Sequence, residues 1–161
     1  MNEKCCGASD TQSSCAESQR ILRRLLDTQR LGALCTHDEG APYGSLVAFA
    51  ASQDMRSLLF ATPRATRKFA NLQSDPRVAM LIDNARDYPV DFEEAAAATA
   101  VGEASELDGH ERAEAVERFC EAHPHLRDFV ESPSTALLAI DVKRYYVVRR
   151  FQHVTELHFD R

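Results

Sequence analysis

Short apolar runs, each ended by residues typical of turns, constrain the fold of this chain more than any other feature. The runs lie at 31–37, 43–50, 57–61, 77–83 and 95–107, and at 135–141 and 143–150, which form one last strand or a pair. Turn residues separate them at 38–41 and 52–56, and Gly102 suggests a β-bulge inside the fifth run. The closing segment 154–159 could add a further strand. The spacing predicts a mainly β protein, a six-stranded antiparallel split β-barrel with flanking helices.

The second run is apolar on both faces. Tyr43–Ala51 lacks the alternation of apolar and polar residues that a strand with one solvated face shows. We therefore expect one face to meet the barrel interior and the other to meet a helix, a ligand or a partner subunit.

Helices are predicted at three places. Ser14 and Glu17 match a capping box, so a helix is expected to begin at Ser14. A second helix is expected over 64–73, and a third after Asp108, with Glu111 completing another capping box. The polar residues 1–13 read as a flexible tail and residues 14–161 as one domain.

Composition excludes several classes of function. The chain has 161 residues and a net charge of −6, which argues against broad electrostatic binding of nucleic acid. No apolar run approaches the roughly 18 residues of a membrane span, and the first residues do not resemble a secretory signal. The expected location is cytoplasmic, with no membrane partner.

Cysteines and histidines offer weak metal patterns. An odd count of five cysteines without an export signal favours free thiols. Cys5, Cys6 and Cys15 match no strong ligand spacing, and His123-Pro124-His125 is interpreted as a loop. No metal site is predicted.

A cluster of cationic residues is the feature of the sequence that most directly indicates a binding site. Arg64, Arg67 and Lys68 are spaced i, i+3 and i+4, and are expected on one face in the first turns of the second helix. Cations are disfavoured there by the helix dipole, so a bound anion would compensate. Free backbone N–H groups and the hydroxyls of Thr62 and Thr66 suit a phosphate. A solvated basic face is the alternative that spacing alone leaves open.

Residues 40–82 resemble the pyridoxamine 5′-phosphate oxidase-like family of FMN-binding split barrels. The resemblance rests on Gly40-Ala41-Pro42-Tyr43, Ala61-Thr62, Thr66-Arg67-Lys68 and Asp75-Pro76-Arg77-Val78. It implies that the second strand lies along a flavin and contacts it partly through its backbone. It also implies that the threonine before the helix and the Arg-Lys pair hold the FMN phosphate. The candidate cofactor-binding residues are Ser45, Leu46, Val47, Ala48, Phe49, Ala50, Ala61, Thr62, Thr66, Arg67 and Lys68.

Departures from the family pattern narrow the branch of the family to which the chain is expected to belong. Ser45 stands where true pyridoxamine phosphate oxidases carry an arginine, Ala97 lies near the position of their flavin-contacting glutamine, and the chain has no tryptophan. We therefore expect a member of the general, haem-utilisation-like branch, and not a vitamin B6 oxidase.

Three hypotheses for function follow. The first is an FMN-dependent oxidoreductase, a homodimer with flavin between its barrels, acting on a small molecule or electron donor that the sequence does not identify. The second is a haem-binding or haem-degrading barrel in which His153 is a candidate iron ligand. The third is a non-enzymatic flavin carrier or redox sensor, with Cys5, Cys6 and Cys15 as responsive thiols. No catalytic residue is assigned, because flavin itself carries the redox chemistry.

Overall fold

The computed structural model describes residues 9–85, 87, 95–149 and 153–159. Its helices are α1 (Ser9–Thr28), α2 (Arg67–Ser74), α3 (Gly109–Ala122) and α4 (Arg127–Glu131), with a 3₁₀ turn at Pro124–Leu126. Its strands are β1 (Leu31–Asp38), β2 (Ala41–Ala51), β3 (Ser57–Pro63), β4 (Arg77–Asp83), β5 (Ala96–Glu106), β6 (Thr135–Arg149) and β7 (His153–His158).

Six antiparallel strands close into a barrel. The strand order is β3-β2-β1-β4-β5-β6, and β3 pairs with β6 from Ser57↔Asp141 to Pro63↔Thr135, which closes the circle. β7 continues the sheet at the outer part of β6. The predicted fold class is therefore confirmed, including the optional strand near the C-terminal end.

Apolar side chains fill the barrel and the space under α3. Phe49, Phe60 and Tyr145 are fully buried in the interior cluster. A second cluster packs α3 and α4 against the outer face of β2, β3 and β6, through Leu59, Phe119 and other residues. One face of β2 thus meets the interior and part of the other meets a helix, as its apolar pattern predicts.

α1 packs against the barrel and starts earlier than expected. Leu22 and Leu25 are buried in the same cluster as the barrel interior. The helix begins at Ser9, so the prediction of a start at Ser14 is wrong. The two residues of the capping pattern serve a tertiary contact instead, because the Arg149 guanidinium donates to Ser14 Oγ at 3.0 Å and to the Glu17 carboxylate.

The predicted bulge lies at Gly102. The β5–β6 register shifts between Val101 and Gly102, and a Cβ built on Gly102 would lie 2.2 Å from the backbone oxygen of Asp141. A glycine is therefore required by the close approach of two backbones. Residues 135–149 form one continuous strand, which settles the choice between one strand and two.

One other expectation differs in detail, and another is largely untested. Asp108 is the N-cap residue of α3, but its side chain makes no capping hydrogen bond. Most of the predicted loop over 84–94 lies outside the described residues. Among the described residues, no helix is long and apolar enough to cross a membrane.

Candidate functional site: the split between β2 and β3

The two strands β2 and β3 separate over most of their length. They pair only from Phe49↔Phe60 to Ala51↔Leu58, although β2 has eleven residues. Residues 41–48 of β2 pair with β1 on one side, and no described strand pairs with them on the other. The open edge of β2 and the end of β3 border a gap, called here the β2–β3 split.

Alternate backbone groups of β2 face this split. The Phe49 amide donates to Arg30 O at 3.2 Å, which shows that Phe49 directs its backbone groups toward the β1 side. In an antiparallel ladder this direction alternates along the strand. Gly44, Leu46 and Ala48 therefore direct N–H and C=O groups into the split, where a planar ring with donors and acceptors could bind them.

Two hydroxyl side chains lie on the interior side of the split. Ser45 shares the strand face of Val47 and Phe49, and Thr62 shares that of Phe60, which lies inside the barrel. Thr62 is only 1% exposed. Ser45 Oγ is buried and has no hydrogen-bond partner within the described residues. A buried hydroxyl without a partner is costly, so this atom is suited to bind a ligand.

The N-terminus of α2 lies beside the Thr62 hydroxyl. Thr66 is the N-cap residue, accepts a hydrogen bond from Phe69 N at 3.4 Å and lies 3.1 Å from Thr62 through their Oγ1 atoms. Arg67 and Lys68 are the first two helical residues, and the first turn contains no acidic residue. The positive end of the helix dipole and two cations therefore meet at one point.

Arg64 does not belong to this group, which corrects the predicted helical face of three cations. α2 begins at Arg67, and Arg64 lies before it with its guanidinium forked on the carboxylate of Glu106, at 3.1 Å for Nη1 to Oε2. The hydrogen bond to Glu106 raises the pKa of Arg64. Arg64 also donates to Pro133 O at 3.3 Å and lies over the Phe69 ring. We infer that Arg64 fastens the segment before α2 to the barrel.

The remaining cations near α2 divide into paired and unpaired ones. Arg77 donates to Asp75 at 2.9 Å, and this hydrogen bond holds the pKa of the Asp75 carboxyl well below its usual range. Arg67 and Lys68 form no ion pair within the described part of the chain. They are the two cations left available for an anion.

Tyr43 is a residue of the site that sequence reasoning did not assign. The Arg67 guanidinium carbon lies 5.3 Å from the centroid of the Tyr43 ring, in cation–π geometry. Tyr43 stands only two residues from Ser45 on the same strand face, and this spacing is the one sequence signal that could have identified it.

The other predicted site residues occupy different surroundings. Val47 and Phe49 are buried in the interior cluster, so a ligand in the split would meet their backbone rather than their side chains. Leu46 is 68% exposed on the outer face of the sheet, and Ala48 is half-buried. Ala50 and Ala61 pack against the α3 cluster, away from Thr62.

His123 has a structural contact rather than a ligand-binding one. It is buried at the end of α3, and its Nε2 lies 2.8 Å from the backbone oxygen of Phe49. Because β1 begins only at Leu31, it does not extend beside Phe49. The His123 ring therefore supplies the hydrogen-bond donor for the Phe49 carbonyl. The described residues contain no group of three or more metal-ligating side chains.

His123→Ala is expected to lower the free energy of unfolding by about 1–3 kcal/mol, because it leaves the buried Phe49 carbonyl without a donor. Urea denaturation measures this effect. His125→Ala, at the exposed neighbouring histidine, is the matched control and should change the value by less than about 0.5 kcal/mol. Equal losses in the two variants would contradict the assignment.

The cysteine expectation is confirmed in part. Cys35 and Cys120 are free, and burial raises the pKa of the Cys120 thiol. Cys15 forms a disulfide, so the expectation of a free thiol is wrong there. An odd number of cysteines does not exclude one bridge. Cys5 and Cys6 lie outside the described residues.

Sequence comparison identifies the family. A family model described as pyridoxamine 5′-phosphate oxidase matches residues 19–149, which include β1 to β6 and the β2–β3 split. The chain belongs to the pyridoxamine 5′-phosphate oxidase family, whose members bind flavins such as FMN or FAD, while some bind haem. Among curated proteins, no sequence matches the chain.

Solved structures show the same fold at low sequence identity. A heme binding protein from Mycobacterium smegmatis aligns with a TM-score of 0.76 and 20% identity, over 88% of this chain and 57% of its own. HutZ, the heme storage protein of Vibrio cholerae, has a TM-score of 0.69 and 14% identity, over 85% and 93%. A FAD-binding protein from Mesorhizobium loti has a TM-score of 0.63 and 16% identity, over 88% and 94%. The chain thus spans little more than half of the Mycobacterium protein.

Proposed function

We propose that this protein binds FMN in the β2–β3 split and acts as an oxidoreductase that transfers hydride or electrons to or from a small molecule. The observation that carries the proposal is the convergence at the split of an open strand edge, the Ser45 hydroxyl without a hydrogen-bond partner and the two cations of α2 without an ion-pair partner, among the residues that the structure describes. These groups match the two halves of FMN, a flat ring with hydrogen-bonding edges and a phosphate.

The phosphate end is assigned to α2. Arg67 and Lys68 would supply charge-assisted hydrogen bonds, and the free N–H groups of the first turn would add donors. The Thr66 hydroxyl donates to Pro63 O at 2.8 Å and lies 3.1 Å from the Thr62 hydroxyl, so Thr62 would donate to the phosphate, and Thr66 could do so only by giving up its bond to Pro63. Ser45 can donate one hydrogen bond where the family's oxidases carry an arginine, so we expect a weaker grip on the phosphate than theirs.

The ring end is assigned to β2. The backbone groups of Leu46 and Ala48 would meet the edge of the flavin, as the alternation along the strand requires. Bound flavin would accept or donate the hydride or electrons, while the chain orients it and excludes water from one side. No side chain is assigned a proton-transfer role.

A second copy of this chain is proposed to cover the outer face of β2, β1 and β4. Leu31, Leu46 and Leu81 are exposed there at 47%, 68% and 40%. Leu46 lies beside Ala33, which pairs with Leu81, so an apolar row crosses three strands. Such a contiguous patch is typical of a protein interface. A homodimer would shield it and would place a second barrel beside the open edge of β2.

Leu46→Glu combined with Leu81→Glu is expected to convert the homodimer to a monomer, because two carboxylates would be buried in an apolar interface. Sedimentation velocity at micromolar concentration measures the mass. Ala113→Glu, which adds a charge on an exposed position of α3, should leave the dimer intact. A wild-type monomer, or a double variant that stays dimeric, would overturn the proposed interface.

Haem binding is the second candidate, and the two haem-associated structural neighbours favour it. His153, the candidate iron ligand, is exposed at the start of β7. A Soret band that forms on addition of haem and is lost in His153→Ala would support this function. A flavin carrier or redox sensor would bind flavin but would not turn over an electron donor, and this difference distinguishes it from an enzyme.

The deciding experiment is to identify the cofactor of the purified protein. We expect a flavin absorption spectrum after addition of FMN, quenched flavin fluorescence, and turnover with a reduced nicotinamide or another electron donor. Tight haem binding with no flavin binding would replace the main proposal by the second one. Flavin binding without turnover would support the assignment of the cofactor and contradict the assignment of an oxidoreductase activity.

A further inference from the structure

We propose that Tyr43 is a positioning residue that holds Arg67 in place for the ligand's phosphate. This inference rests on the proposed function and adds a residue to it. The guanidinium of Arg67 lies 5.3 Å from the Tyr43 ring centroid, which is the contact of its head group found within the described ranges of the chain.

Arg67 needs such support because, among the described residues, no other contact fixes its head group. It is exposed, stands at the first position of α2 and forms no ion pair within the described residues. A long free side chain loses rotamer freedom when it binds, and that loss weakens the complex. A ring that already holds the planar guanidinium removes part of this cost before the phosphate arrives.

Tyr43 and α2 are both anchored to the same residue of β1. Tyr43 lies directly opposite Thr36 in the β1–β2 register. The buried Asn71 of α2 donates from Nδ2 to Thr36 Oγ1 at 3.0 Å. The Tyr43 ring and the helix that carries Arg67 are therefore both positioned by Thr36, so the fold sets the distance between them.

The ring acts through its face and not through its hydroxyl. The Tyr43 hydroxyl has no hydrogen-bond partner within the described part of the chain, and attraction of a guanidinium depends on the aromatic face. Phenylalanine should therefore replace tyrosine at this position, whereas an aliphatic residue should not.

Titration of FMN and of riboflavin into Tyr43 variants, followed by flavin fluorescence, tests the inference. For Tyr43→Leu we expect the dissociation constant of FMN to rise about three- to tenfold, with that of riboflavin changed by less than about twofold. Tyr43→Phe should remain within about twofold of the wild type for both ligands. Tyr43→Met, which retains an apolar side chain without a ring, should behave like the leucine variant, and thermal unfolding checks that each variant is folded.

A double-mutant cycle with Arg67→Ala distinguishes positioning from a direct or structural role. In the Arg67→Ala background, Tyr43→Leu should change FMN affinity by less than about twofold, because the residue that it positions is absent. The same loss in both backgrounds, or an equal loss for riboflavin, would overturn the inference. Wild-type protein that binds no FMN would overturn the proposed function and this inference together, whereas normal wild-type binding with an unchanged leucine variant would overturn only this inference.

Discussion

Removal of either cation from the start of α2 is expected to weaken FMN binding roughly 10- to 150-fold. Arg67→Ala and Lys68→Ala each delete a charge-assisted contact worth about 1.5–3 kcal/mol, and neither cation has a protein carboxylate that competes for it among the described residues. Flavin fluorescence titration gives the dissociation constants. Riboflavin lacks the phosphate, so its affinity should change by less than about twofold.

Arg118→Ala is the matched control for this experiment. Arg118 is an exposed arginine on α3 that borders residues 49–54, at the end of β2 where the two strands pair and not at its open edge, and its removal changes the net charge by the same amount. FMN affinity should stay within about twofold. Equal weakening of FMN and riboflavin by the α2 variants would reject the phosphate assignment, and a loss in the control would point to a general charge effect.

Tyr145→Ala is expected to lower the free energy of unfolding by about 3–5 kcal/mol. The side chain is fully buried inside the barrel, packs edge-on against Phe159 at 5.6 Å between ring centroids, and leaves a large cavity when truncated. Its hydroxyl donates to Met55 O at 2.9 Å, and burial raises the pKa of this tyrosine. Met55 has a φ of 61° in the β2–β3 turn, so the bond also stabilises a left-handed residue.

Tyr145→Phe separates the contribution of the buried ring from that of the hydroxyl hydrogen bond. It keeps the ring and removes the hydrogen bond, so we expect a loss of about 1–2 kcal/mol. Urea denaturation at one fixed protein concentration measures all three proteins, because a dimer would make stability depend on concentration. A loss below about 1.5 kcal/mol for the alanine variant would show that the barrel interior repacks around the missing ring.

The strand pattern was predictable because it depends on local sequence. Apolar runs bounded by turn residues gave the barrel class, and Gly102 marked the bulge correctly since a missing side chain is visible in the sequence. The start of α1 was not predictable. Ser14 and Glu17 match a helix N-terminus by type, but they bind Arg149, which lies more than a hundred residues away along the chain.

The candidate site was predictable only as a set of residue types. Arg67 and Lys68 were identified from an excess of charge near a helix N-terminus. The interpretation of Arg64 as a third cation of the site was wrong. Its partner Glu106 follows 42 residues later, so the local sequence around Arg64 does not predict the ion pair.

The sequence by itself determined where the strands lie along the chain, the position of the bulge and the charge at the start of α2, since each depends on residues close together in the chain. Only the tertiary structure decided where β2 and β3 separate and that Tyr43 lies against Arg67. It also decided which cations have no ion-pair partner, and that the Ser45 hydroxyl is buried without a hydrogen-bond partner, within the part of the chain that is described. Those properties depend on which distant segments meet, and closure of the barrel sets these meetings.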